Sequence, residues 1–303
     1  MSRAKPCETK QGRTESGRIA YGGGVSHIMT TFFCPWAVPS WVKPGTVAEN
    51  ARFLAGRVSE IGLCLFEAER SAHMPEIELP RRLTGLPLRW HAHLPSDLPG
   101  QRDLAPEPGE ARAQGERAAE LALAVWRRAA FLQPRFGVLH LPTLLERNQT
   151  GGTGCAAAWL EAFFRVWREA GEQPRDIALE NVRGAPFRLF DAPWGADDAS
   201  LCLDMAHTLA YGQEGDSVRP DILKRVRLVH WSAPGPAGPD GVSRDRHLPL
   251  TGLTPVQKDW LLRVWARRAL PLLPADATHL VEVFDWEGIL LSLPELEEIL
   301  GRA

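Results

Sequence analysis

Eight short, β-rich apolar runs recur along the chain, separated by stretches of helical period, and this alternation limits the fold more than any other feature. The runs are TFFCPW (31–36), IGLCLFE (61–67), LRWHAHL (88–94), FGVLHL (136–141), DIALENV (176–182), SLCLDMA (200–206), RLVHWS (227–232) and THLVEVF (278–284). Between them lie TVAENARFLAGR (46–57), the Ala/Glu/Arg-rich 109–131, CAAAWLEAFFRVWREAG (155–171) and TPVQKDWLLRVWARRAL (254–270). Thr254-Pro255 opens the last of these with a good N-cap and proline at the first helical position. Strand–helix alternation calls for a parallel sheet. Eight units in about 270 residues fit a single-domain α/β (β/α)8 TIM barrel over 29–303 better than an open sheet. A flavodoxin-like sheet with an appended domain is the alternative.

Residues 1–28 are polar, Gly-rich and without period, and read as a disordered extension, or as sequence upstream of a start at Met29. No apolar run approaches the ~20 residues of a membrane helix, and the N-terminus has no signal-peptide core. The five cysteines, Cys7, Cys34, Cys64, Cys155 and Cys202, include no C-x-x-C and read as reduced thiols of a cytoplasmic protein. With 35 Lys+Arg against 37 Asp+Glu the formal charge is −2, which argues against a sequence-independent nucleic-acid binder.

A buried parallel strand should be almost wholly apolar. Six of the runs break that rule near their C-terminal ends, where a barrel builds its active site, and they do so with metal-ligand residues. Run three ends His91-Ala92-His93, run four at His140, and run five at Glu180-Asn181. Run six supplies Asp204 and then His207; run seven supplies His230 and is followed by Asp245-Arg246-His247; run eight supplies Glu282. Six of the nine histidines sit at these positions. His91 and His93 share a face, with His93 nearer the mouth, so His93 is the expected ligand and His91 the deeper structural residue. An imidazole and carboxylate set suits Zn, Mn or Fe. More donors than one ion can use imply two or three ions.

Glu67 shares the alternation of Leu63 and Leu65 and is expected to point into the mouth, as a catalytic, substrate-binding or plain rim carboxylate. Trp36, Trp41 and Trp231, with Trp286, are candidates for a flat apolar wall that binds a macrocycle or bases. Gly151-Gly152-Thr153-Gly154 lacks the Lys-Ser/Thr of a phosphate loop and is expected to be a turn.

Taken in order, L-E-N, L-C-L-D-x-x-H, V-H, D-R-H and V-E resemble the xylose-isomerase-like barrels, and among them the endonuclease IV type of metal-dependent phosphodiesterase. The resemblance implies one ion on His93, His140 and Glu180, and a second bridged by Glu180 and held by Asp204, His230 and Glu282. It implies a third on His207, Asp245 and His247. Within that superfamily, PGTVAENARFLAGRVSEIGLCLFEAE (44–69), His93 to Leu98, ALENVRGAPF (178–187), LCLDMAHTLAYG (201–212) and HLVEVF (279–284) are similar to the cobamide-remodelling phosphodiesterases called CbiR. That likeness implies hydrolysis of the nucleotide-loop phosphodiester of B12-type corrinoids, with zinc, or Mn or Fe, as cofactor and Glu180 at the catalytic centre. The implied partner is a small corrinoid, with neither nucleic acid nor membrane. The Pro/Gly-rich stretch 234–243 is longer than that family's pattern. An abasic-site DNA endonuclease and a sugar or sugar-phosphate isomerase are the alternative enzymes on this barrel. A non-enzymatic corrinoid binder would be expected to have lost ligands, and none is lost.

Overall fold

The computed structural model describes residues 34–143, 152–184, 187, 189, 199–239, 243 and 245–301. The extension expected over 1–28 lies outside them. Eight parallel strands close a barrel in chain order: β1 (Cys34–Pro39), β2 (Val58–Cys64), β3 (Arg89–His93), β4 (Gly137–His140), β5 (Ile177–Glu180), β6 (Ser200–Asp204), β7 (Val226–Trp231) and β8 (Thr278–Val281). β1 closes on β8 through Ala37 opposite Leu280. The chain is therefore a (β/α)8 TIM barrel. Among the described residues, no helix is long and apolar enough to cross a membrane.

The helices are α1 (Val47–Leu54), α2 (Ala68–Ala72), α3 (Pro108–Ala129), α4 (Gly152–Glu169), α5 (Met205–Ala210), α6 (Pro220–Leu223), α7 (Pro255–Trp260), α8 (Ala266–Arg268) and α9 (Trp286–Ile299). The stretch expected as one helix from 254 is capped by Thr254 but interrupted by a π-turn at Leu261–Trp265. Gly152–Gly154, expected as a turn, instead begin α4.

α3 and α4 cross closely at Gly115, where an added Cβ would stand 2.2 Å from the Trp159 carbonyl oxygen. A backbone oxygen cannot rotate aside. Overpacking of about 3 kcal/mol, offset by about 1 from better helix propensity, leaves Gly115→Ala about 2 kcal/mol less stable. Urea unfolding at neutral pH measures the difference.

Alternation divides the strand residues between two compartments. Ala37, Phe136, Val138, Ala178, Cys202, Leu228 and Leu280 fill the barrel, while Trp36, Trp90 and Trp231 belong to the layer between strands and helices. The floor is polar. Glu60, fully buried, has Oε1 2.8 Å from His91 Nδ1 and Oε2 2.9 Å from Arg135 Nη1, and His91 stacks on Phe136 at 5.1 Å.

Burial alone would push the Glu60 carboxyl up, but the hydrogen bond from His91 and the charge and hydrogen bond of Arg135 outweigh it and hold it below the ordinary value. A depressed carboxylate contributes stability that is present above its unfolded pKa and lost as pH falls through the folded one. The urea midpoint should therefore fall between pH 5 and pH 3 more steeply in the wild type than in Glu60→Gln. Equal slopes would remove Glu60 as the cause.

Candidate metal centre

Six of the eight strands, β3 to β8, deliver a donor where the apolar run ends. His93, His140, Glu180 and Asp204 are the last residues of β3 to β6. His230 is the penultimate residue of β7, and Glu282 follows β8 directly. Register aligns them: His140 stands opposite Glu180, and Asp204 opposite His230. Asp204 is also the N-cap of α5, its Oδ1 accepting from the His207 amide at 2.6 Å, and this turn carries His207 over the mouth. Asp245 and His247 reach in from the loop after β7. His247 takes a positive φ of 45°, a conformation that non-glycine residues adopt at some cost and often at working sites.

Glu180 is the hub. Its Oε2 lies 3.2 Å from His93 Nε2 and 3.3 Å from His140 Nε2; its Oε1 lies 3.4 Å from His230 Nδ1 and 3.8 Å from His207 Nδ1. Two compact donor groups, His93–His140–Glu180 and Glu180–Asp204–His230–Glu282, therefore share one carboxylate. His207 Nε2 and His247 Nε2 each lie 3.2 Å from Asp245 Oδ2. That trio is looser and is not among the described sets whose donor atoms all fall within 4.8 Å.

The donor set fits divalent ions on three counts. First, buried Glu180 Oε2, Asp204 Oδ2, His230 Nδ1 and Glu282 Oε2 make no hydrogen bond, although His230 Nδ1 and Glu282 Oε2 are only 2.9 Å apart. Atoms so placed converge on a common point rather than on each other. Second, His93 Nδ1 lies 2.8 Å from the Leu94 carbonyl and His207 Nδ1 2.7 Å from the Asn181 carbonyl, so each ring donates there and presents Nε2 to the cluster. Third, the site lacks positive charge. Against burial, Asp204 and Asp245 lift the His207 pKa well above its ordinary value, and Glu282 and Glu180 do so for His230. Glu282 falls to about 2, because His230 and His247 outweigh its burial. Protons on the imidazoles here do electrostatic work that metal cations do in a filled site.

Cys202, read from sequence only as a thiol, forms a further compact set with Glu180 and His230. Burial pushes its thiol well up, which favours the protonated form.

Three other expectations change. On β2 the inward residues are Glu60, Gly62 and Cys64, so Glu67, which shares the alternation of Leu63 and Leu65, is on the outward face. It is exposed, 3.9 Å from Arg70, and lines a cavity at the rim with Trp41 and Phe66. Trp36 and Trp231 do not line the mouth, because their strand neighbours Ala37 and His230 occupy the inward positions. Trp231 is wholly buried, donates from Nε1 to His279 Nδ1 at 3.0 Å and packs edge-on to Trp265; Trp36 meets the ring of the same His279. Trp41 alone of those three stays half-exposed at the rim. With Phe66, Phe284 and Trp286 it lines a groove of about 740 Å³. Phe66 touches the His93 ring at 4.9 Å and Phe284 the His247 ring at 4.9 Å, which joins groove to cluster. Phe66 and Phe284 lie in loops just beyond β2 and β8, where no periodicity singles them out.

No family model and no curated protein matches the sequence. Solved structures match by fold. A D-tagatose 3-epimerase-like protein is 14% identical with a TM-score of 0.61, over 88% of this chain and 97% of its own. Endonuclease IV from Thermus thermophilus is 18% identical with a TM-score of 0.57, over 89% and 99%. A xylose isomerase domain protein from Alicyclobacillus acidocaldarius is 17% identical with a TM-score of 0.56, over 88% and 98%. The chain thus shares the barrel fold of these proteins, with a buried carboxylate–imidazole cluster at the mouth that could hold metal ions.

Proposed function

We propose that the chain is a metal-dependent phosphodiesterase that hydrolyses the nucleotide-loop phosphodiester of cobamides, leaving a cobinamide-type product. The observation that carries the reading is the division of Glu180, with one oxygen facing His93 and His140 and the other facing His230. A phosphodiester presents several oxygens to neutralise, and donor groups side by side suit it. His93, His140, Glu180, Asp204, His230 and Glu282 would hold two ions, and His207, Asp245 and His247 a third. Zinc suits these donors, as do Mn2+ and Fe2+. Such ions lower the pKa of a bound water towards ~7 and offset charge on phosphate oxygens.

The chain's own residues supply orientation. Glu180 fixes the separation of the two donor groups, and Asp204 holds His207 in place through the cap. The Trp41, Phe66, Phe284 and Trp286 groove offers flat apolar faces to a ring system beside the cluster. Its charged members are Lys43, Asp285 and Glu287, a balance that does not attract a DNA backbone. A second reading, a single-ion sugar epimerase, is favoured by the compactness of the Glu180–Asp204–His230–Glu282 group alone.

Zinc-loaded protein incubated separately with cobalamin, abasic-site DNA and a ketohexose, with products read by mass spectrometry, decides among the three. The expected result is a cobinamide-type product that disappears with chelator, from protein carrying more than one ion per chain. Intact cobalamin would overturn the reading, and an epimerised sugar with one ion per chain would install the second.

A further inference from the structure

Behind Asp204 and His207 lies a buried network that the proposed chemistry does not use. Asn181, which follows Glu180, is 2% exposed, and Gln213, three residues beyond α5, is 3% exposed. Asn181 Oδ1 accepts from the Asp204 amide at 2.7 Å, while Asn181 Nδ2 donates to the Asp204 carbonyl at 3.1 Å and to Gln213 Oε1 at 2.9 Å. Gln213 Nε2 donates in turn to the Val182 carbonyl at 2.7 Å and the Gly184 carbonyl at 3.3 Å. The Asn181 carbonyl, on the same stretch of backbone, is the acceptor for His207 Nδ1.

We propose that Gln213 is a positioning residue of the metal centre, acting on His207 and Asp204 through Asn181. Its amide is anchored at both ends. The Val182 carbonyl fixes Nε2, so Oε1 faces the Asn181 amide nitrogen, and the opposite end of the Asn181 amide is thereby turned to the Asp204 backbone. Pinning of Val182 and Gly184 holds the peptide whose carbonyl selects the His207 tautomer. His207 then keeps a proton on Nδ1 and holds Nε2 at the cluster, 3.2 Å from Asp245 Oδ2. Without Gln213 the Val182 carbonyl loses its buried donor, and the Asn181 amide is left with its bonds to the Asp204 backbone and a long one to Thr208 Oγ1. The inference rests on reading the cluster as a metal centre, not on the identity of the substrate.

The test measures zinc binding by competition with a chromophoric chelator and by elemental analysis. Gln213→Leu, similar in size but without the amide, should weaken the least tightly held zinc by roughly ten- to a hundredfold. Gln213→Glu keeps an acceptor facing Asn181 Nδ2 but sets a second oxygen against the Val182 carbonyl, so it should recover only a minor part of that affinity. Leu54→Ala, a cavity in α1 remote from the network, should lower the Tm while leaving zinc affinity unchanged. If Gln213→Leu is insoluble, Gln213→Asn takes its place, since an amide one methylene shorter cannot span both partners. Wild-type zinc affinity in the soluble Gln213 variant, or an equal loss in Leu54→Ala, would overturn the proposal. A wild type that binds zinc but leaves cobalamin intact removes the proposed substrate and leaves Gln213's role standing.

Discussion

Glu180→Gln is expected to lower turnover of the proposed cobamide substrate by on the order of a thousandfold or more while the barrel stays folded. The substitution preserves size and removes the charge. Glu180 is 1% exposed, and although burial alone would raise its pKa, His140 and His230 hold it well below the carboxylate range, so it works as an anion. An amide offers one acceptor oxygen and one donor nitrogen, so it cannot face both the His93–His140 side and the His230 side with lone pairs. At least one ion should be lost with it. Elemental analysis, Tm and turnover on the same preparation make the test. Full activity with an unchanged ion count would mean that the hub has been placed on the wrong residue.

The second large effect lies at the other end of the barrel. His91→Asn should cost about 3 kcal/mol, the loss of a buried hydrogen bond to a charged partner, and lower the Tm by roughly 6–12 °C in a chain of this size. Burial drives the His91 pKa down against the pull of Glu60, so the ring is neutral and donates its Nδ1 proton to Glu60. Asparagine is too short to keep both that bond and the stack on Phe136. Ion content should be unchanged. A variant that keeps its Tm but loses metal would move His91 from the floor into the cluster.

Much of this was legible in the residues. All eight apolar runs overlap strands of the barrel, because buried parallel strands leave continuous hydrophobic text. The donors stood out for the converse reason: His140, Glu180 and Asp204 interrupt that text where each strand stops. What escaped depends on where strands end and which way they face. Glu67 was misread because nothing in IGLCLFE tells which of its two apolar faces looks into the barrel, and the Leu63–Leu65 face packs against the helices. The outward direction of Trp231 was available, since a side chain next to the inward His230 must point to the opposite face. Gln213 carried no local signal at all, because its partners lie about thirty residues away, in the segment after β5.

Asp204 divides its two oxygens between two tasks. Oδ1 closes the first turn of α5, and Oδ2 is left without a hydrogen-bond partner inside the cluster. Asparagine at this position could cap the helix but would bring no charge, while glutamate would bring charge on a stem too long for the same cap. The position therefore accepts one residue of the twenty, whereas Glu282, which caps nothing, has more latitude. The split also orders events during assembly. Since the turn closes on the chain's own oxygen, the pocket takes shape before any ion arrives, and cations can be exchanged through it without the polypeptide having to refold.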